Sequence, residues 1–220
     1  PVEDSIESIY DICSKLARTY SYSGGCGIDI SKLRPRGMKV NNASNTTTGA
    51  VSFMDTFSQV TGTIGQNGRR GALMISIDCS HPDLEEFIEV KNDLTRVTKA
   101  NISVRVNDDF MNAVVNDLDW ELYFKTEHGD ETRKVVKAKE IFRLLSKNNW
   151  SMAEPGILFW DRIENYNLLS EDENFKYAGV NPCAEEPLPE GGSCLLGSIN
   201  LAAYVKDNDF DIVEFVNDIH

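Results

Sequence analysis

Three side chains that could act together lie near one another late in the chain. Asn181, Cys183 and Glu185 fall in the stretch NPCAEEPLPEGGSCLLGSINLA, residues 181–202, and Cys194 follows after ten intervening residues. This is neither a Cys-x-x-Cys pair nor a metal-ligand spacing. Pro182 and the neighbouring glycines and prolines put Cys183 on a constrained loop, where a thiol beside polar groups can be reactive. A half-buried structural thiol is the plainer reading of the same spacing. Glu185, two residues on, would point to the same side as Cys183 if the segment were extended, and could then act as a general base. With Glu186 it could equally form a solvated acidic patch. Cys194 could bond Cys183, because a ten-residue connection can bring two thiols to disulfide distance, or it could bond a thiol elsewhere.

The rest of the chain holds fewer reactive candidates. Two glycine-containing loops carry Arg34 with Arg36 and Arg69 with Arg70. Glycine lets backbone N–H groups approach an anion, and arginine supplies a planar fork for phosphate oxygens. Neither loop matches a phosphate-binding fingerprint, so each could be only a surface turn. His81, His128 and His220 are scattered without ligand spacing, so no metal site is expected. Cys13 sits on the apolar stripe of a helix and reads as core.

Composition narrows the classes. A net charge of −13 argues against non-specific binding to nucleic acid, though not against a small phosphorylated ligand. No apolar run is long enough to span a membrane and no secretory leader is evident, which excludes a membrane role from expectation. Five irregularly spaced cysteines in 220 residues do not form a disulfide framework, so a reducing cytoplasm is expected. The chain opens PVEDS without an initiator methionine and reads as a piece of something longer.

The elements that must position these residues alternate between helix and strand. Asp4 with Glu7 suggests a capping box, and Ile6, Ile9, Cys13, Leu16, Ala17 and Tyr20 predict a helix over 5–21. SGGCGIDI reads as a tight turn into a strand, and 35–50 as a long polar loop. AVSFMDTFSQVTGTI reads as a helix, and GQNGRRGALMISID as a loop feeding an apolar strand. Ser80, Pro82 and Asp83 predict a helix over 82–91. NISVRV and WELYFKT alternate as strands, with a helix capped by Asn107 or Asp108 between them. AKEIFRLLSKNNW is an amphipathic helix, PGILFWDRIENYN is ambiguous, 181–202 is irregular, and about 208–220 is a helix. The interleaving predicts an α/β fold in one domain or part of one.

These segments, in this order, resemble the large subunit of ribonucleotide reductase. PVEDSIESIYD, SGGCGIDISKLRPRG, GAVSFMDTFSQV, GQNGRRGALM, HPDLEEFIEVK and NPCAEEPL…SCLLGSINLA cover nearly the whole chain. Asn181, Cys183 and Glu185 fill the family's Asn-x-Cys-x-Glu signature. The Asn-Pro-Cys form, with SKLRPRG and RRGALM, looks most like the adenosylcobalamin-dependent class. The resemblance implies the first half of a ten-stranded α/β barrel, with 1–220 a partial catalytic domain. Within it, 1–75 would include the effector-specificity segments and 181–202 the active-site loop.

What the resemblance implies about roles goes further. Cys183 would carry a thiyl radical that takes the 3′-hydrogen of a ribonucleotide. Glu185 would accept the 3′-hydroxyl proton, Asn181 would hold the sugar hydroxyls, and Gly25 would lie against the substrate. Cys194 would be one of two reducing thiols, its partner falling just upstream of Pro1. Cys26 would not take that place. Asp4, Arg34, Gln66, Arg69 and Arg70 would bind a deoxynucleoside triphosphate or ATP effector. The substrate would be a ribonucleoside di- or triphosphate, the electron donor a thioredoxin-type protein, and the whole enzyme a homodimer, with this piece inactive alone. The alternatives are a non-catalytic nucleotide-binding regulatory module, for which the cysteine motif would be incidental, and a dithiol oxidoreductase, for which Cys183 and Cys194 would bond each other.

Overall fold

The computed structural model describes residues 1–41, 43–64 and 71–219. Its centre is a parallel sheet of four strands, β1 (Gly25–Asp29), β2 (Ala72–Asp78), β3 (Asn101–Val106) and β6 (Gly156–Phe159), in that order. Each parallel pairing needs a crossover connection. Those connections include α2 (Ala50–Thr63), α3 (Leu84–Glu89), and then α4 (Asp108–Val115) and α5 (Ala138–Met152), which flank an antiparallel hairpin of β4 (Asp119–Lys125) and β5 (Glu131–Lys137).

The two faces of the sheet differ in chemistry. One carries Ile28, Leu73, Ile75, Ile77, Ile102, Val104 and Val106, all buried. The helices cover it, contributing Leu16 and Tyr20 from α1 (Ile6–Ser21), Met54 and Phe57 from α2, Phe87 from α3 and Leu145 from α5. Burial of these β-branched and aromatic groups is the main stabilising term of the fold. The other face follows from the same strands by their two-residue period. Gly27, Met74 and Asn101 stand side by side in register, and one step along stand Asp29, Ser76, Ser103 and Gly156. Asp29 is 2% exposed there, and it accepts from Ser76 Oγ at 2.7 Å and pairs with Arg105 at 3.2 Å. The Arg105 guanidinium lies 3.7 Å from the ring centroid of Trp160, the first residue of α6 (Trp160–Asn165).

Three local expectations are corrected. Asp4 does not cap α1; Ser5 does, accepting from Ser8 N at 3.1 Å. The Asp4 carboxylate is held instead by Arg34, through its backbone N at 3.0 Å and its Nε at 2.7 Å, a charge-assisted pair stronger than a cap bond. The helix expected over 82–91 is shorter, Leu84–Glu89 running into a single 3-10 turn at Val90–Asn92. Ser80 bonds Asp78 rather than opening it, and Asp83 makes no side-chain cap there. Asp83 reaches across to Ala50 N at 2.9 Å, capping α2, whose own cap residue, Gly49, has no side chain. The stretch before and within 181–202 also holds regular structure: β7 (Tyr177–Val180) pairs antiparallel with β8 (Pro187–Pro189). Two prolines in β8 confine it to a sheet edge.

Candidate active site

The β7–β8 hairpin carries Cys183 across the glycine-bearing face of the sheet. Val180 packs with Met74, Leu158 and Trp160, with Ala184 against the same cluster. The hairpin lies close because β1 is bare at alternate positions. A Cβ on Gly27 would stand 1.7 Å from the Val180 carbonyl oxygen, and one on Gly25 would stand 2.6 Å from Pro182 Cγ. Gly25, expected to face the substrate, thus touches the loop that bears the cysteine. The importance of Gly27 was not anticipated, although the alternation of Gly25 and Gly27 in GCGID was visible.

The tip is a tight turn. Ala184 N donates to Asn181 O at 3.0 Å, with Pro182 and Cys183 at the centre of the turn. Asn181 ties both sides of the hairpin: its N donates to Glu186 O at 3.1 Å, and its Oδ1 accepts from Glu186 N at 3.1 Å. The side-chain amide nitrogen is not used by these bonds. Ala184 has φ 70°, a left-handed conformation costing an L-residue about 1–2 kcal/mol, held by the bonds on either side. This backbone overturns the premise that residues 183–185 are extended. The turn breaks the two-residue alternation, so spacing alone does not set Glu185 on the side of Cys183. Both residues are exposed.

One further side chain holds the turn. Asn101, the first residue of β3, donates from Nδ2 to Pro182 O at 2.9 Å. Its place was legible in NISVRV, where Asn101, Ser103 and Arg105 alternate onto one face, but the bond to a residue 81 positions away was not.

The five cysteines are separate thiols. Burial raises Cys13 and Cys26 above the usual thiol range, the latter against an opposing hydrogen bond from Thr19. Burial, with the charge of Asp78, pushes Cys79 up to about 12. Cys183 is exposed and Cys194 half-buried, on a segment without regular structure.

A second cluster lies around Asp4 and Arg34. Arg34 Nη1 also donates to Lys39 O at 2.6 Å, which leaves Nη2 outside these contacts. Both residues line a cavity of about 460 Å³ that also includes Ser5, Thr47, Phe53 and His128. Behind this pair, His81 is fixed in one tautomer. Its Nδ1 accepts from Asp83 N at 3.0 Å, so Nε2 carries the hydrogen given to Leu33 O at 2.8 Å. Burial pulls its pKa below the usual histidine value. Gln66, Arg69 and Arg70 lie outside the described residues, as does His220. Among the described residues no group of three or more His, Cys, Asp or Glu side chains could hold a metal ion, and no helix is long and apolar enough to cross a membrane.

The fold and site together define an α/β protein whose four-stranded parallel sheet carries a cysteine turn on its glycine-bearing face. The family model for the ribonucleotide reductase barrel domain matches residues 1–220. The chain is 38% identical over 219 residues to a protein of Thermoplasma acidophilum named vitamin B12-dependent ribonucleoside-diphosphate reductase, covering 96% of this chain and 28% of that one. A Mycobacterium tuberculosis protein of the same name is 34% identical over 223 residues, covering 98% of this chain and 31% of its own length. A Streptomyces clavuligerus vitamin B12-dependent ribonucleotide reductase is 32% identical over 244 residues, covering 97% and 25%. The chain belongs to the ribonucleotide reductase barrel-domain family, and spans less than a third of the length of these relatives.

Proposed function

We propose that this chain is the part of a ribonucleotide reductase that presents the hydrogen-abstracting thiol to the ribose. The observation that carries the reading is the exposed Cys183 on a turn whose backbone is fixed by Asn181 and seated on Gly25 and Gly27. A thiyl radical at Cys183 would take the 3′-hydrogen, reversibly, because S–H and activated C–H bonds are close in strength. Glu185 would accept the 3′-hydroxyl proton as the 2′-oxygen leaves as water. The Asn181 amide N–H groups would hold the sugar hydroxyls, since its oxygen is committed to Glu186. Cys194 and a second thiol would each give up a proton and an electron and join as a disulfide, which balances the two-electron reduction. A thioredoxin-type dithiol would reopen that disulfide.

The names of the relatives favour a ribonucleoside diphosphate as substrate and adenosylcobalamin as the cofactor that supplies the oxidising radical. On this reading the segments that would contact cobalamin lie largely outside these 220 residues, and no step here runs through the cofactor. The Asp4–Arg34 cavity is the reading for a deoxynucleoside triphosphate effector, with Arg34 on phosphate and Asp4 on the sugar; Gln66, Arg69 and Arg70 belong to the same reading. Apolar exposure supports packing against further protein. Leu195 and Leu196 are 99% and 87% exposed, α7 (Ile212–Ile219) has no buried residue, and Ile6 and Tyr10 stand exposed on α1, where a homodimer could cover them. On this reading the 220 residues alone are inactive.

Cys183→Ser in the intact enzyme tests the central assignment. A hydroxyl fills nearly the same space but cannot form the radical at accessible energy, so turnover should vanish while effector binding persists. Substantial residual turnover would refute it.

A further inference from the structure

We propose that Asn101 is a positioning residue for Cys183, a role that rests on the reading of Cys183 as the hydrogen-abstracting thiol. Asn101 Nδ2 donates at 2.9 Å to the carbonyl oxygen of Pro182. That carbonyl belongs to the peptide group whose nitrogen is Cys183 N. Holding it fixes the plane of that peptide and with it the direction in which the Cys183 side chain leaves the backbone. Pro182 makes the control tight, because its ring sets φ and it has no N–H to bond elsewhere. Its ring is already pressed on Gly25, so the carbonyl is the remaining handle on this residue.

Asn101 is a firm support for such a bond. Its neighbours Ala100 and Ile102 are 5% and 1% exposed, in the core. The backbone is clamped on either side of it: Lys91 Nζ donates to Ala100 O, and Ile102 N donates to Glu154 Oε1 at 3.2 Å. Lys91 and Glu154 are themselves an ion pair with side chains 17% and 20% exposed. Register with Met74 on β2 then sets Asn101 level with Gly27, two strands away across the face that carries the hairpin. The helix-covered core is thereby linked to the cysteine turn by one side-chain amide. Hydrogen abstraction requires the sulfur at near-attack distance, and a misplacement of about 1 Å can cost on the order of 100-fold in rate.

The test uses the intact enzyme with Asn101→Ala, Asn101→Gln and, in parallel, Cys183→Ser. Three quantities are read: kcat and KM, the iodoacetamide alkylation rate of Cys183 by peptide mapping without cofactor, and the melting temperature. Asn101→Ala should lower kcat about tenfold or more with KM within about twofold, as expected when geometry rather than binding is lost. The Cys183 alkylation rate should change at least about threefold and that of Cys194 should stay within about twofold, with the melting temperature nearly unchanged. Asn101→Gln, which restores an amide donor, should recover part of kcat. Parental kcat and parental Cys183 alkylation in Asn101→Ala would overturn the proposal. So would a loss of kcat that merely follows a lowered melting temperature with Cys183 alkylation unchanged. Turnover by Cys183→Ser would instead refute the underlying reading, and is told apart because alkylation reports the Asn101 anchor independently of turnover.

Discussion

The Val180 carbonyl oxygen occupies the space a side chain at Gly27 would need: an added Cβ would lie 1.7 Å from it. That oxygen is backbone, so it cannot rotate aside, and any substitution at Gly27 must move the whole β7–β8 hairpin. Gly27→Ala should therefore lower kcat of the intact enzyme by about 100-fold through displacement of Cys183. Gly179→Ala, where nothing stands within 4 Å of the added Cβ, should leave stability within about 0.5 kcal/mol. Steady-state kinetics and urea melts of the two variants check this. Normal kcat in Gly27→Ala would show that the hairpin is not held on β1.

Cys194→Ser should separate initiation from completion. Abstraction at Cys183 needs no electrons from Cys194, so the variant should still start the reaction. It should release base or other nucleotide breakdown products with little deoxynucleotide. Peptide mapping of the oxidised parent enzyme should find Cys194 bonded to a thiol other than Cys183. A Cys183–Cys194 bond together with normal turnover of Cys194→Ser would favour the dithiol oxidoreductase instead.

Arg34→Ala should weaken effector binding about tenfold or more, since a charge-assisted phosphate contact contributes roughly 1.5–3 kcal/mol. It also removes one of the two partners of the Asp4 carboxylate, Arg34 Nε, and leaves the bond from the backbone N of residue 34. Asp4→Asn keeps the shape with less charge and should lose less. Equilibrium titration with a deoxynucleoside triphosphate measures both. Unchanged affinity in Arg34→Ala would move the effector site elsewhere.

His81 should make stability fall on mild acidification. Its folded pKa lies below the unfolded value of 6.5, chiefly because burial disfavours the cation. The protonated form therefore favours the unfolded chain. The stability is fully present above 6.5 and is lost as pH falls from there toward the lower folded value, by at most about 1.4 kcal/mol per pH unit for one proton. Protonation would also place a hydrogen on Nδ1 facing the Asp83 N–H it now accepts. His81→Asn should be less stable at pH 7.5 yet show a shallower decline toward pH 5.5 in urea melts. Equal slopes in the two proteins would remove His81 as the cause.

Local pattern was enough for much of the fold. Ile9, Cys13, Leu16 and Tyr20 recur at helical spacing and are the buried stripe of α1, and NISVRV alternates because β3 has one apolar and one polar face. The motif Asn181, Cys183, Glu185 was likewise readable as a unit, and so was the family. These signals are legible because helix and strand periods are properties of a few consecutive residues. What only the tertiary structure decided are the bonds between distant segments. Asp83 caps a helix that begins 33 residues earlier, Asp4 answers to Arg34 rather than to its own helix, and Asn101 holds the carbonyl of Pro182. Short polar side chains have several local partners of similar strength, and the choice falls to whichever distant group the packed sheet brings within 3 Å. Gly27 is the sharpest case: in sequence it is a glycine in a turn-rich run, and only the crossing of Val180 above it makes the missing side chain a requirement.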